Sequence, residues 1–273
     1  MTEARALDER AVADEARLLL EAERTRVAIA PVIDRHPGAT IADAYAIQLA
    51  GRALRLAEPG AALVGRKVGL TSEVMQRMLG VDQPDFGYLT ATMVSADGAA
   101  LDPGVFLAPR VEAEIAFRLK APLSGAELTI EDVLAATEAV APALEVIDSR
   151  IADWRIGIAD TVADNASSGH VVLGTWQPLP LALDLAAVEV SLEVAPDGDA
   201  NAGTGAAVLG HPAAPIAWLA RALHEYGGEG IAAGEIVIPG AVSRALPVAP
   251  GQTARAAFAG LGDVSVSFAA GVL

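Results

Sequence analysis

The stretch Pro109-Arg110-Val111-Glu112-Ala113-Glu114-Ile115-Ala116-Phe117-Arg118-Leu119 decides how this chain folds. It alternates: Val111, Ala113, Ile115, Phe117 and Leu119 share one face of a strand, and Glu112, Glu114, Ala116 and Arg118 share the other. Glu112 and Glu114 therefore point the same way, roughly 7 Å apart at about 3.3 Å per residue. Long side chains can close that gap onto one hard cation. Taken alone, the pair is more simply a solvated strand face with Arg118 as counter-charge.

Downstream, residues 139–147 (Ala-Val-Ala-Pro-Ala-Leu-Glu-Val-Ile) form an apolar run long enough for a buried strand. A lone buried carboxylate is costly unless it is paired, neutralised or bound to metal. Glu145 thus needs a partner. Arg150 or Arg110 would make a structural ion pair; a metal shared with Glu112 and Glu114 would make a site. The sequence leaves these open. Asp148-Ser149-Arg150 and Asp160-Thr161-Val162-Ala163-Asp164-Asn165-Ala166-Ser167-Ser168-Gly169 follow.

Upstream, residues 61–70 read as a strand that includes Gly65-Arg66-Lys67-Val68-Gly69-Leu70. Ser72 reads as the N-cap of a short helix ending at Gly80. Val81-Asp82-Gln83-Pro84-Asp85-Phe86-Gly87-Tyr88-Leu89 reads as a turn-rich loop. By residue type alone, Lys67 is a surface lysine, Leu70 a core leucine and Asp85 a turn aspartate.

With 273 residues and 53% hydrophobic content, the chain is large and apolar enough for a folded core. Its net charge of −16 argues against nucleic acid or an anionic membrane as partner. An anionic substrate would be repelled at long range, so its site must supply local positive charge. The absence of cysteine excludes disulfides and thiolate chemistry, leaving oxygen or one of 4 histidines to hold any metal. The acidic N-terminal residues (Glu3, Asp8, Glu9, Asp14) do not form a secretory signal, and no apolar run is long enough to span a membrane. A cytoplasmic location is the expectation.

Residues 5–29 favour helix, with Leu18-Leu19-Leu20, Val27 and Ile29 as surface for burial. Thr40 and Asp43 resemble a capping box opening a helix over about 41–57, whose Ile41, Tyr45, Leu49 and Leu56 recur at helical spacing. Residues 1–60 are expected to be a helical segment that covers the sheet or a neighbouring subunit, and 61–273 the catalytic domain. Thr129 and Asp132 resemble a second capping box, with a helix to about Thr137. Strands are expected at 169–174, 188–194, 235–239, 253–259 and 263–268, the last two forming a hairpin through Gly260-Leu261-Gly262. Gly203-Thr204-Gly205 reads as a loop or bulge, since a dinucleotide fingerprint needs a third glycine and a following helix. His211-Pro212 opens a helix to about Tyr226, whose 215–223 face suits an interface, with Trp218 in the core or at that interface. Strands and helices mix without βαβ alternation, which indicates α+β and not a Rossmann or barrel fold.

The words Val-Glu-Ala-Glu-Ile-Ala-Phe, Ala-Leu-Glu-Val-Ile-Asp-Ser-Arg and Asp-Thr-Val-Ala-Asp-Asn-Ala-Ser-Ser-Gly resemble the 2-keto-4-pentenoate hydratase family. So do Gly-Arg-Lys-Val-Gly-Leu-Thr-Ser and Val-Asp-Gln-Pro-Asp-Phe-Gly. That family also contains the 4-oxalocrotonate decarboxylases and belongs to the fumarylacetoacetate hydrolase superfamily. The motifs fall in the family's order from about residue 44 to residue 268. The resemblance implies a mixed β-sheet roll and a Mg²⁺ or Mn²⁺ ion on Glu112, Glu114 and Glu145. It implies Lys67 and Asp85 as catalytic residues, and Ser167 and Leu70 as substrate-binding ones. It also implies a homo-oligomer and, as a partner, a downstream aldolase. Pro239 stands where the wider superfamily often has a polar residue, which bears on substrate preference.

The implied reaction is hydration of 2-hydroxypenta-2,4-dienoate to 4-hydroxy-2-oxopentanoate in the meta-cleavage catabolism of aromatic compounds. An α-keto acid offers two adjacent oxygens to a divalent cation, which stabilises the enolate. Lys67 would transfer a proton or stabilise charge, Asp85 would orient Lys67 or the water, and Ser167 would bind the substrate carboxylate. A Ser-His-Asp triad is rejected for want of a Gly-x-Ser-x-Gly elbow. A decarboxylase and an acylpyruvate hydrolase of the same superfamily are the rival chemistries. If Asp82 and Asp85 both face the pocket, they would repel the second carboxylate that a decarboxylase must accept. A non-catalytic structural partner of a pathway enzyme is the remaining rival, and the presence of all three glutamates argues against it.

Overall fold

The fold is that of a computed structural model, which describes residues 4–72, 76–77, 81–125, 127–179 and 183–270. Its strands, in chain order, are β1 (Leu63–Gly69), β2 (Asp85–Thr90), β3 (Val94–Ala96), β4 (Ala99–Leu101), β5 (Arg110–Leu119), β6 (Thr137–Ile147) and β7 (Ser168–Leu173). They continue with β8 (Gln177–Pro178), β9 (Glu189–Ala195), β10 (Ala200–Thr204), β11 (Ile236–Ile238), β12 (Leu246–Pro247), β13 (Thr253–Phe258) and β14 (Gly262–Phe268).

The two longest strands, β5 and β6, pair antiparallel at the centre of one mixed sheet. Among the described residues its order is β2-β1-β11-β5-β6-β7-β3, with β12 on β5 and β8 on β6. A second sheet runs β10-β9-β13-β14-β4. The α+β expectation holds.

The alternation along β5 is realised. Val111, Ala113, Ile115, Phe117 and Leu119 all join the main apolar core, while Ala116 joins a smaller cluster with Ala143, Val171 and Ile238 on the opposite face. The main core also takes in Val12, Leu19, Ala44 and Ile47 from the N-terminal helices. Those helices are Glu9–Thr25, Val32–Arg35 and Ile41–Leu56.

Several local expectations shift. The first helix stops at Thr25, where Arg26 turns left-handed, and Val27 is 64% exposed. The capping boxes at Thr40 and Thr129 both form. The buried stripe of the Ile41–Leu56 helix is rotated from the expected one, to Ala44, Tyr45, Ile47, Gln48 and Gly51. Gln48 causes this: its amide donates to Phe86 O at 2.7 Å and Val162 O at 2.8 Å, so it faces inward. Residues 85–89, read as loop, are a strand because β1 supplies their partners. Gly203 and Thr204 likewise pair with β9 as part of β10; a Cβ at Gly203 would overlap Val242 O. The expected helix from Ser72 to Gly80 lies mostly outside the described residues. The helix Ala214–Gly227 spends its apolar face within the chain, since Ile216, Leu219, Ala220 and Leu223 are buried. That face is therefore not free for an interface. Trp218 is half-buried, edge-on to Phe86.

Candidate active site

The β5–β6 register sets Glu112 directly opposite Glu145, and Glu114 opposite Ala143. Like charges facing each other across a ladder are unfavourable. Here three carboxylates gather on one face, each with an oxygen within 4.8 Å of the others'. Glu114 and Glu145 are fully buried and Glu112 is half-buried.

Lys67 comes from β1, with its Nζ 3.2 Å from Glu145 Oε2 and donating to Ala166 O at 2.9 Å. Neither arginine weighed as the partner of Glu145 plays that part. Arg150 pairs with Asp164, and Arg110 stacks on Trp154. The period of two along β1 separates Lys67 from Arg66, whose guanidinium bonds Glu235 and Glu229 instead.

Asp85 opens β2 opposite Gly69. A Cβ at Gly69 would overlap Asp85 Oδ1 and lie 3.4 Å from Lys67 Nζ, so only glycine leaves room for both side chains. Thr161 donates to Asp85 Oδ2 at 3.1 Å. Gly240 N donates to Glu114 Oε2 at 2.6 Å. Gly240 has φ +123°, and a side chain there would run into Thr71.

Ser167 ends a turn in which Asn165, Ala166 and Ser167 all take left-handed backbone, at φ 55°, 50° and 53°. Such residues cost about 1 kcal/mol or more each, so the surroundings must enforce them. Asn165 binds both N and O of Tyr88, at 2.8 and 3.1 Å. Arg150 encloses the turn from the other side, donating to Asp164, Asp148 O and Ser168 O. The turn presents Ala166 O to Lys67 and leaves Ser167 Oγ buried with no hydrogen-bond partner. Leu70, just past β1, is half-buried and also left-handed at φ 55°.

Burial dominates the electrostatics. It pushes Glu112 up to about 7, with Lys67 opposing and Glu145 and Asp85 adding to the rise. It holds Glu114 well above the usual carboxylate range, and Glu145 adds to that. Asp85 is raised by burial against the pull of Lys67 and Thr161. For Lys67, burial opposes the charge, but Glu145, Asp85, Glu112 and Glu114 outweigh it and keep the ammonium protonated.

One lysine does not balance this many carboxylates. Glu114 Oε1 and Glu145 Oε1 are buried without a hydrogen bond, and Glu145 Oε2 has only its ion pair with Lys67. Unsatisfied, convergent oxygens with no nitrogen or sulfur donor fit a hard divalent cation. Asp82 is exposed, so any repulsion of a second substrate carboxylate rests on Asp85 alone.

Lys67, Asp85, Glu112, Glu114 and Glu145 thus converge from four strands, and the turn that ends at Ser167 reaches them through Ala166 O. Sequence reasoning missed Thr161, the Gly240 amide and the Ala166 carbonyl. Thr161 lies inside a word already singled out, and Gly240 directly follows Pro239. A backbone carbonyl leaves no trace in residue types.

No protein-family model matches the chain. It is 45% identical over 265 residues to a 2-hydroxyhexa-2,4-dienoate hydratase of Comamonas testosteroni, covering 96% of this chain and 98% of that one. It is 42% identical over 253 residues to a 2-keto-4-pentenoate hydratase of Paraburkholderia xenovorans, covering 93% of each. Among solved structures it resembles 4-oxalocrotonate decarboxylase from Pseudomonas putida, complexed with magnesium and adipate. There the TM-score is 0.91 at 37% identity, over 97% of this chain and 100% of that one. A fumarylpyruvate hydrolase from Pseudomonas aeruginosa, in complex with Mn²⁺ and pyruvate, shares the fold alone: TM-score 0.60 at 18% identity, over 76% of this chain and 90% of that one. With near-full-length identity above 40% and these motifs brought together in one buried cluster, the chain belongs to the 2-keto-4-pentenoate hydratase family of the fumarylacetoacetate hydrolase superfamily.

Proposed function

We propose that this protein is a divalent-metal-dependent hydro-lyase that adds water to 2-hydroxypenta-2,4-dienoate, giving 4-hydroxy-2-oxopentanoate in meta-cleavage catabolism. The observation that carries the reading is the buried Glu112–Glu114–Glu145 cluster with unsatisfied oxygens, in a chain 45% and 42% identical to dienoate hydratases. These glutamates would hold Mg²⁺ or Mn²⁺, which when bound polarises a 2-oxo group and stabilises negative charge on its oxygen.

The chain's own residues supply the rest. Ketonisation places a proton on C5, then water adds its oxygen at C4 and a proton at C3. Lys67, cationic and fixed between Glu145 and Ala166 O, places positive charge where the substrate becomes electron-rich. Asp85, its pKa raised by burial and one oxygen held by Thr161, suits holding a proton or orienting the water. Ser167 Oγ, buried and unpaired, is a donor ready for the substrate carboxylate. Leu70 lines the apolar end. The helical segment 1–60 serves as a cover for the catalytic 61–273 unit. Assembly as a homo-oligomer in the cytoplasm, with a downstream aldolase taking the product, belongs to the same proposal. No helix among the described residues is long and apolar enough to cross a membrane.

The likeness to a 4-oxalocrotonate decarboxylase at TM-score 0.91 gives decarboxylation as the second reading. The experiment offers the five-carbon dienoate and 2-oxohex-3-enedioate separately with Mg²⁺, following dienol absorbance and evolved CO₂. Hydration should dominate and stop on exhaustive chelation. Faster CO₂ release would replace the hydratase reading, and full activity after chelation would remove the metal from it.

A further inference from the structure

We propose that Arg110 is the cation at the rim of the site that recognises the carboxylate of the incoming substrate. It is a specificity-determining residue separate from Lys67 and Ser167. The substrate class rests on the function proposed above; the placement of the charge does not.

The polar face of β5 runs Arg110, Glu112, Glu114, Ala116. Burial deepens along it: Arg110 and Glu112 are half-buried, while Glu114 and Ala116 are at 0% exposure. The face is closed at Glu114 and Ala116 and opens at both ends, with Arg110 at the end beside Glu112 and half-buried Arg118 at the other. Arg110 stands two residues before Glu112 on the same face of β5, roughly 7 Å along the strand.

Among the described residues, Arg110 makes no salt bridge to a carboxylate. Every other buried or half-buried arginine among the described residues has one: Arg35, Arg52, Arg55, Arg66, Arg118 and Arg150 each pair with a carboxylate. Arg118 is the internal control. It lies at the far end of the same face of β5 and also stacks on a tryptophan, Trp176, at 4.7 Å. It also bonds Glu138 at 2.9 Å, so its charge is spent. The guanidinium of Arg110 rests only on the ring of Trp154, at 4.5 Å.

That platform is built. Asp153 and Trp154 are both left-handed, at φ 59° and 53°. Trp154 Nε1 donates to Ala108 O at 3.1 Å, and Ala108 N is held by Asp148 at 2.7 Å. Strain of about 1 kcal/mol or more per residue, spent on seating one ring under one unpaired cation, points to use of that cation. In a protein of net charge −16, an anion approaching three carboxylates needs such a charge at the rim.

The test is calorimetric titration of the Mg²⁺-loaded protein with pyruvate, a 2-oxo acid the reaction does not consume, at low and physiological ionic strength. Dienoate turnover is followed in parallel. R110Q should bind pyruvate about tenfold more weakly and lose most of the salt dependence, with kcat within about twofold of wild type. R110K should recover part of the loss, and R118Q should match wild type. Equal affinity and salt dependence in R110Q and wild type would overturn the assignment. So would an equal loss in R118Q, or a wild-type protein that turns over the dienoate and binds no pyruvate. If R110Q weakens pyruvate as expected while the wild type fails to hydrate the dienoate, the hydratase reading falls and the role of Arg110 stands.

Discussion

Two buried charge clusters lie side by side in this protein, and they are built on opposite principles. Around Arg150, every donor has an acceptor: Asp164, Asp148 O and Ser168 O surround the guanidinium, and Ser149 Oγ and Arg150 N reach the same Asp164 carboxylate. Around Lys67, one ammonium faces Glu145, Glu112, Glu114 and Asp85, with carboxylate oxygens left unbonded. A satisfied buried network holds shape. An unsatisfied one is costly unless something else completes it. The first cluster is therefore scaffold, and the second is the receptor that we propose a divalent cation completes. The two meet at the left-handed turn Asn165–Ser167, which Arg150 braces and from which Ala166 O reaches Lys67.

The comparison breaks most visibly at Arg150. Arg150→Ala leaves Asp164 buried without its partner and frees the strained turn, and should cost about 3–5 kcal/mol of stability. Urea denaturation measures it. A loss under about 1 kcal/mol would show that the network is not the brace described here.

In the receptor cluster the same kind of change should have the opposite sign. Glu145→Gln removes one of several repelling carboxylates, so the metal-free protein should melt at the wild-type temperature or above it. Mg²⁺ affinity should fall, and turnover should drop by about 10³-fold, since the substitution keeps shape and loses charge. Thermal scans with and without Mg²⁺ read both effects. A metal-free Glu145→Gln protein that melts well below wild type would place Glu145 with the scaffold.

The smallest effect is in the pH dependence. Glu112 titrates at about 7 in the fold against an ordinary value of 4.5, and Glu114 is raised as well. The folded state thus holds these protons more tightly than the unfolded chain does. The contribution of Glu112 is fully present below about 4.5 and is lost as pH rises from there through about 7, and that of Glu114 is lost in the same direction. Asp164, pushed up to about 6 by burial against the pull of Arg150, acts in the same direction. Metal-free protein should therefore lose melting temperature across that window. Mg²⁺ should cancel the part belonging to Glu112 and Glu114 and leave the part belonging to Asp164. A metal-free melting temperature that rises with pH over the same window would contradict both.

What the sequence determined by itself was what depends on near neighbours. Period-two alternation named the two faces of β5, because successive side chains on a strand must oppose. Thr40 with Asp43 and Thr129 with Asp132 named helix starts, because a capping box closes within four residues. The apolar run around Glu145 announced a buried carboxylate in need of a partner. The partner itself was decided by tertiary structure. Lys67 is far from Glu145 in sequence, and only the sheet order β1-β11-β5-β6 brings it there in place of the nearer Arg150. Residues 85–89 looked like loop because Pro84, Asp85 and Gly87 favour turns, and became strand because β1 offered a ladder. The stripe on the Ile41–Leu56 helix rotated because Gln48 found two carbonyls inside. Local pattern sets which side chains share a face; the cross-strand register, which depends on distant residues, decides which of those faces meet and which charges are left without a partner.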